Sequence, residues 1–168
     1  MQIGGGVGLD LPALPGPQME SLLPPPHPDL ESVFTERWCW VLAHKLNEQT
    51  GWPMVVVSDG PDGKVGWVHA GVRAPDGRII DYYGAHEPGA WIDAWAESIH
   101  VEGLDGNDMA DLGWDWEVDG DKINVYPWDE LDPACKPTLA SEPPPAAVMT
   151  AAVATATKLL ARLRDEDR

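Results

Sequence analysis

Three residues in the first half of the chain have the side chains and the order needed for thiol chemistry: Cys39, His69 and Asp81. A thiol attacks a carbonyl only as thiolate, and a neighbouring imidazole or a helix N-terminus favours that form. The imidazole in turn needs a carboxylate or amide to fix its tautomer. Cys39, His69 and Asp81 are therefore the candidate nucleophile, proton shuttle and orienting carboxylate. Each has an ordinary reading when taken singly. A free cysteine is usually a small buried hydrophobe, and Asp81 before Tyr82-Tyr83-Gly84 could simply end a strand.

The elements around these residues decide whether they can meet. From Asp29 to Thr50 apolar residues recur at helical steps (Leu30, Val33, Phe34, Cys39, Leu42, Ala43, Leu46), which predicts a helix. Asp29 is its candidate N-cap and Gly51 its αL terminator. Thr35 is a second candidate N-cap; a break there would place Cys39 near a helix N-terminus, and a continuous helix would leave it mid-helix. Met54 to Val57 reads as a strand, closed by Asp59-Gly60-Pro61-Asp62-Gly63. Strands over Val65–Arg73 and Arg78–Tyr83 flank Ala74-Pro75-Asp76-Gly77. Pro75-Asp76-Gly77 fits a three-residue loop, a type I turn followed by an αL glycine, which sets Ala74 opposite Arg78. Gly71 then faces Asp81, His69 faces Tyr83, and His69 and Asp81 become diagonal neighbours on one face, with Cβ atoms roughly 7–8 Å apart. A two-residue loop would put them on opposite faces.

Beyond the hairpin, Ala90–Ile99 reads as a short helix anchored by Trp91, Ile92 and Trp95, and Lys122–Tyr126 as one more strand. Pro133 and Pro143-Pro144-Pro145 mark a linker, and Ala146–Arg164 is a terminal helix. The expected class is α+β: an N-terminal helix on a small antiparallel sheet, with an additional C-terminal helix. The expected organisation is a Pro/Gly-rich arm over 1–28, one domain over 29–132, a linker over 133–145 and the last helix over 146–168. At 168 residues, one domain is the natural count.

Cys39 in a helix, then Trp67-Val68-His69-Ala70, then Pro75-Asp76-Gly77-Arg78-Ile79-Ile80-Asp81 and Gly84 resemble the core of papain-like and transglutaminase-like cysteine enzymes. In that superfamily a helix supplies the cysteine, and successive antiparallel strands supply histidine and aspartate. The segments CWVLAHKLNEQTGWP and HAGVRAPDGRIIDYYG are similar to those of small bacterial and phage proteins of this type. The resemblance spans about residues 36–86 and implies thiol chemistry on an acyl or amide centre: peptide cleavage, deamidation or transamidation. Many relatives carry a small residue before the cysteine, where this chain has Trp38. Candidate oxyanion donors are the Cys39 backbone N–H and a side chain such as Gln49 or Trp40.

Charge narrows the partners. The formal net charge is -17, and between Glu97 and Asp132 twelve Asp or Glu stand against Lys122 alone. Such a field repels nucleic-acid phosphate and anionic membrane, and suits a protein or peptide substrate or a basic protein partner. The alternative to an enzyme is accordingly a non-catalytic acidic binding module, possible in a phage-encoded protein, with Trp114-Asp115-Trp116 in its contact surface. Cys39 and Cys135 make no metal-like spacing, and the run from Asp105 to Asp111 lacks EF-hand spacing, so no cofactor or metal is expected. No signal segment and no apolar stretch of about 20 residues is read from the sequence, and the expected location is cytoplasmic. His44 is expected in solvent, and His86 and His100 have no partner that the sequence identifies.

Overall fold

The structure, a computed structural model, describes residues 30–60, 67–101 and 123–168. The arm over 1–28, the Asp29 cap, the Pro61-Asp62-Gly63 turn, the start of the second strand, and the acidic stretch with Asp105 to Asp111 and Trp114-Asp115-Trp116 lie outside the described residues. So does the side chain of His100.

The fold is α+β, built on a five-stranded antiparallel sheet. A helical turn α1 (Leu30–Ser32) runs into a π-helical segment over Val33–Arg37, and α2 spans Cys39–Thr50. The strands are β1 (Met54–Ser58), β2 (His69–Arg73), β3 (Ile79–Asp81), β4 (Gly84–His86) and β5 (Asn124–Pro127), with α3 (Pro88–Val101) before β5 and α4 (Ala146–Glu166) at the end. The sheet order is β4-β3-β2-β1-β5.

Alternation along the strands divides the apolar residues between two faces. Met54, Val56, Ala70, Val72, Ile80 and Tyr82 pack with α2 and α4, while Val55, Val57 and Ile79 pack with Trp91 of α3. The terminal helix, whose destination the sequence left open, docks on the domain: Val148, Ala151, Ala152, Ala156, Leu159, Leu160 and Leu163 are buried in the α2 layer. By length and composition α4 is apolar enough to cross a membrane, contrary to the expectation that no such stretch exists. Its many alanines raise the mean hydropathy without making it conspicuous, and its leucines face the core while Val153 is exposed.

Several boundaries differ from the expected ones. The helix breaks at Trp38 (φ -112, ψ 21), not at Thr35, whose hydroxyl instead donates back to Glu31 O at 2.7 Å inside its own turn. The third strand stops at Asp81 and turns through Tyr82-Tyr83 into β4, a strand the sequence reading lacked. His69 therefore has no ladder partner at Tyr83. Gly51 does end α2 in the αL region, with φ 78, as its position predicts.

Candidate active site

The β2–β3 loop turns as a three-residue loop should. Ala74 N–H donates to Arg78 O at 2.8 Å and Gly77 N–H to Ala74 O at 2.9 Å, with Gly77 at φ +92. The ladder pairs Arg73 with Ile79 and Val72 with Ile80, so Gly71 stands opposite Asp81. His69 and Asp81 thus share a face, and His69 Nε2 donates to Asp81 Oδ2 at 3.1 Å.

Cys39 arrives from the other layer. Because α2 leads through Gly51 directly into β1 and β2 runs back antiparallel, the α2 N-terminus is level with the start of β2 and the end of β3. The break at Trp38 makes Cys39 the first residue of a twelve-residue α-helix. Its N–H has no intrahelical partner, and the helix dipole favours negative charge there. The thiol lies close enough to the His69 imidazole to act on it through charge and a side-chain contact. Nδ1 of that ring is buried and has no hydrogen-bond partner among the described residues. With Nε2 committed to Asp81, Nδ1 is the nitrogen left for the thiol.

Electrostatics follow from this packing. Burial, the largest influence on His69, favours the neutral ring. The charge of Cys39 and the hydrogen bonds to Asp81 and Cys39 outweigh it and raise the pKa from 6.5 to about 9. For Asp81 burial favours the neutral acid, yet the hydrogen bonds from His69 and His86 prevail and hold the carboxyl well below the usual carboxylate range. The protonated ring lies flat on Trp95, centroids 3.7 Å apart and planes at 16°, an arrangement that favours a cation over an indole face.

Asp81 accepts four hydrogen bonds, two on each oxygen. Oδ2 takes His69 Nε2 and Trp91 Nε1, the latter at 2.9 Å. Oδ1 takes the Tyr83 N–H at 2.9 Å and His86 Nε2 at 2.8 Å. All the lone-pair directions of an ionised carboxylate are thereby filled. His86, for which the sequence offered no partner, belongs to this cluster, because Gly84 at φ 116 allows β4 to fold back beside β3. Trp91, expected only as a helix anchor, is also a donor to it.

Gln49 does not belong to it. Ten residues along α2 from Cys39, roughly 15 Å away, it donates to Val153 O at 3.4 Å and accepts from Thr157, so it is a contact to α4 and not an oxyanion donor. Trp40 is buried against Trp38. His44 is partly exposed and 3.9 Å from Glu48.

Gly71 supplies the room this arrangement needs. A Cβ there would lie 2.7 Å from Ile80 O and 3.2 Å from the Trp91 ring. Gly71→Ala is expected to destabilise the fold by about 1–3 kcal/mol through overpacking, read as a lowered urea midpoint; an unchanged midpoint would mean that the Trp91 contact yields freely.

The chain matches no family model, no curated protein and no solved structure.

Proposed function

We propose that the chain is a thiol-dependent hydrolase or acyl/amide transferase with a papain-like or transglutaminase-like core, using Cys39, His69 and Asp81. The observation that carries this reading is the placement of Cys39 at the start of α2 beside an imidazole whose far nitrogen is bonded to a buried carboxylate. In the reaction the Cys39 thiolate, its proton already held on the His69 ring, bonds through Sγ to the carbonyl carbon. Collapse of the tetrahedral intermediate breaks the carbon–nitrogen bond, and His69 returns the proton to the leaving amine. The thioester then passes its acyl group to water or to an amine, with His69 taking the proton of the incoming nucleophile. Asp81 holds the ring throughout, and the unpaired N–H at the head of α2 is the candidate oxyanion donor. The net charge of -17 favours a cationic protein or peptide as acyl donor or acceptor.

Cys135 provides an internal control, since it is free and exposed while Cys39 is free and buried. With limiting 4-nitrophenyl acetate, peptide mapping should find a transient acetyl thioester on Cys39 formed at least about tenfold faster than on Cys135, as proximity to a general base predicts. Labelling confined to Cys135 would sink the enzyme reading.

A second reading rests on burial. Cys39 is 3 % exposed, His69 0 % and Asp81 2 %, values that equally suit a polar cluster kept for structure in a non-catalytic acidic module that engages a basic partner. Under that reading partner capture survives Cys39→Ala and collapses with added salt.

A further inference from the structure

A carboxylate that orients a catalytic imidazole must itself be oriented, and the two oxygens of Asp81 are served by different parts of the fold. Oδ2 receives His69 and the buried Trp91. Oδ1 receives a backbone N–H and the side chain of His86. His86 ends a three-residue edge strand, and its side chain is 26 % exposed, so it is the member of the cluster that borders solvent. Resting on the proposed thiol chemistry, we infer that His86 is a positioning residue: it locks the Asp81 carboxylate from the side opposite His69, so that Oδ2 stays fixed on His69 Nε2 and the ring keeps its place relative to Cys39.

The alternative fates of Oδ1 make the role specific. Without His86 one oxygen keeps only the Tyr83 N–H, and the gap opens toward water, which would compete for the carboxylate and free it to rotate about its Cα–Cβ and Cβ–Cγ bonds. Trp91 cannot compensate, since it bonds the other oxygen. The ionisable groups around His69 among the described residues are Cys39 from α2, Asp81 from β3 and, through Asp81, His86 from β4; α3 contributes only the rings of Trp91 and Trp95.

The test compares His86→Phe, which removes the donor, with His86→Gln, whose amide nitrogen takes the place of the ring Nε2 and restores one. In the unaltered chain the His69 Nε2–H proton should give a low-field resonance protected from exchange with water. His86→Phe should abolish that resonance and slow Cys39 acetylation by 4-nitrophenyl acetate about tenfold, in keeping with loss of a hydrogen bond to a charged group. His86→Gln should recover both. The inference falls if the resonance and the rate survive in His86→Phe, or if His86→Gln behaves as His86→Phe does. A resonance that depends on His86 in a chain whose Cys39 forms no thioester supports the positioning role and removes only the enzyme reading. A thioester that forms normally while the resonance ignores His86 overturns the positioning role alone.

Discussion

Replacing His69 with glutamine should slow acylation of Cys39 by a factor of about 10²–10⁴, the usual worth of a positioned general base, and leave acylation of Cys135 unchanged. Glutamine is the informative substitute because its amide nitrogen takes the place of the ring Nε2 and can still donate to Asp81 Oδ2, as His69 Nε2 does at 3.1 Å. The polar cluster then stays satisfied, and only proton transfer is lost. Removing the donor outright would strand a buried carboxylate and confound chemistry with unfolding. The Cys135 rate serves as the clock: it reports probe concentration and reagent quality in the same sample, because that thiol is exposed and lies outside the cluster. If Cys39 and Cys135 retain their ratio in His69→Gln, the imidazole does nothing for the thiol, and the proposed mechanism has no base.

How far the sequence carried this site depends on which residues are considered. The His69–Asp81 pair was legible because Pro75-Asp76-Gly77 fits a three-residue loop with glycine in the αL position, and loop length sets the ladder. With Arg73 opposite Ile79, the face shared by the two side chains follows arithmetically. Gly51 was legible for the same kind of reason, a backbone conformation that strongly favours glycine. The helix break was not, since Trp38 has no sequence signature of a terminator; the π-helical turn over Val33–Arg37, closed by Trp38 N–H to Val33 O at 2.9 Å, comes from packing Phe34 and Trp38 into one core. His86 was missed because β4 forms only when Tyr82-Tyr83-Gly84 reverse the chain, and nothing in those residues alone separates that turn from a longer strand. The mistaken oxyanion role for Gln49 was avoidable, since ten residues of helix rise already carry it to the opposite end of α2.

The stability of the fold should depend on pH through the same cluster, and the sign differs for its two members. His69 has a folded pKa of about 9 against 6.5 for the free side chain, so the folded state holds its proton more tightly. Its contribution is complete below about pH 6.5 and is lost as pH rises through about 9, with a size of about 3 kcal/mol from the linkage between pKa and folding. Asp81 is shifted the other way, its folded pKa lying below the 3.8 of a free aspartate side chain. Its contribution is complete above about pH 4 and is lost as pH falls into the strongly acid range. Urea unfolding of the chain should therefore show a plateau between about pH 4 and 6.5, then a decline toward pH 9. The charge of Cys39 is the largest of the influences that raise the His69 pKa, so Cys39→Ala should remove part of what opposes burial and leave the part due to Asp81. The alkaline decline would then begin at lower pH and be shallower, while the acid limb, set by hydrogen bonds to Asp81, stays where it is. A decline above pH 7 that is identical with and without the thiol would mean that Cys39 and His69 do not interact in solution, and the chemistry assigned to the pair would lose its physical basis.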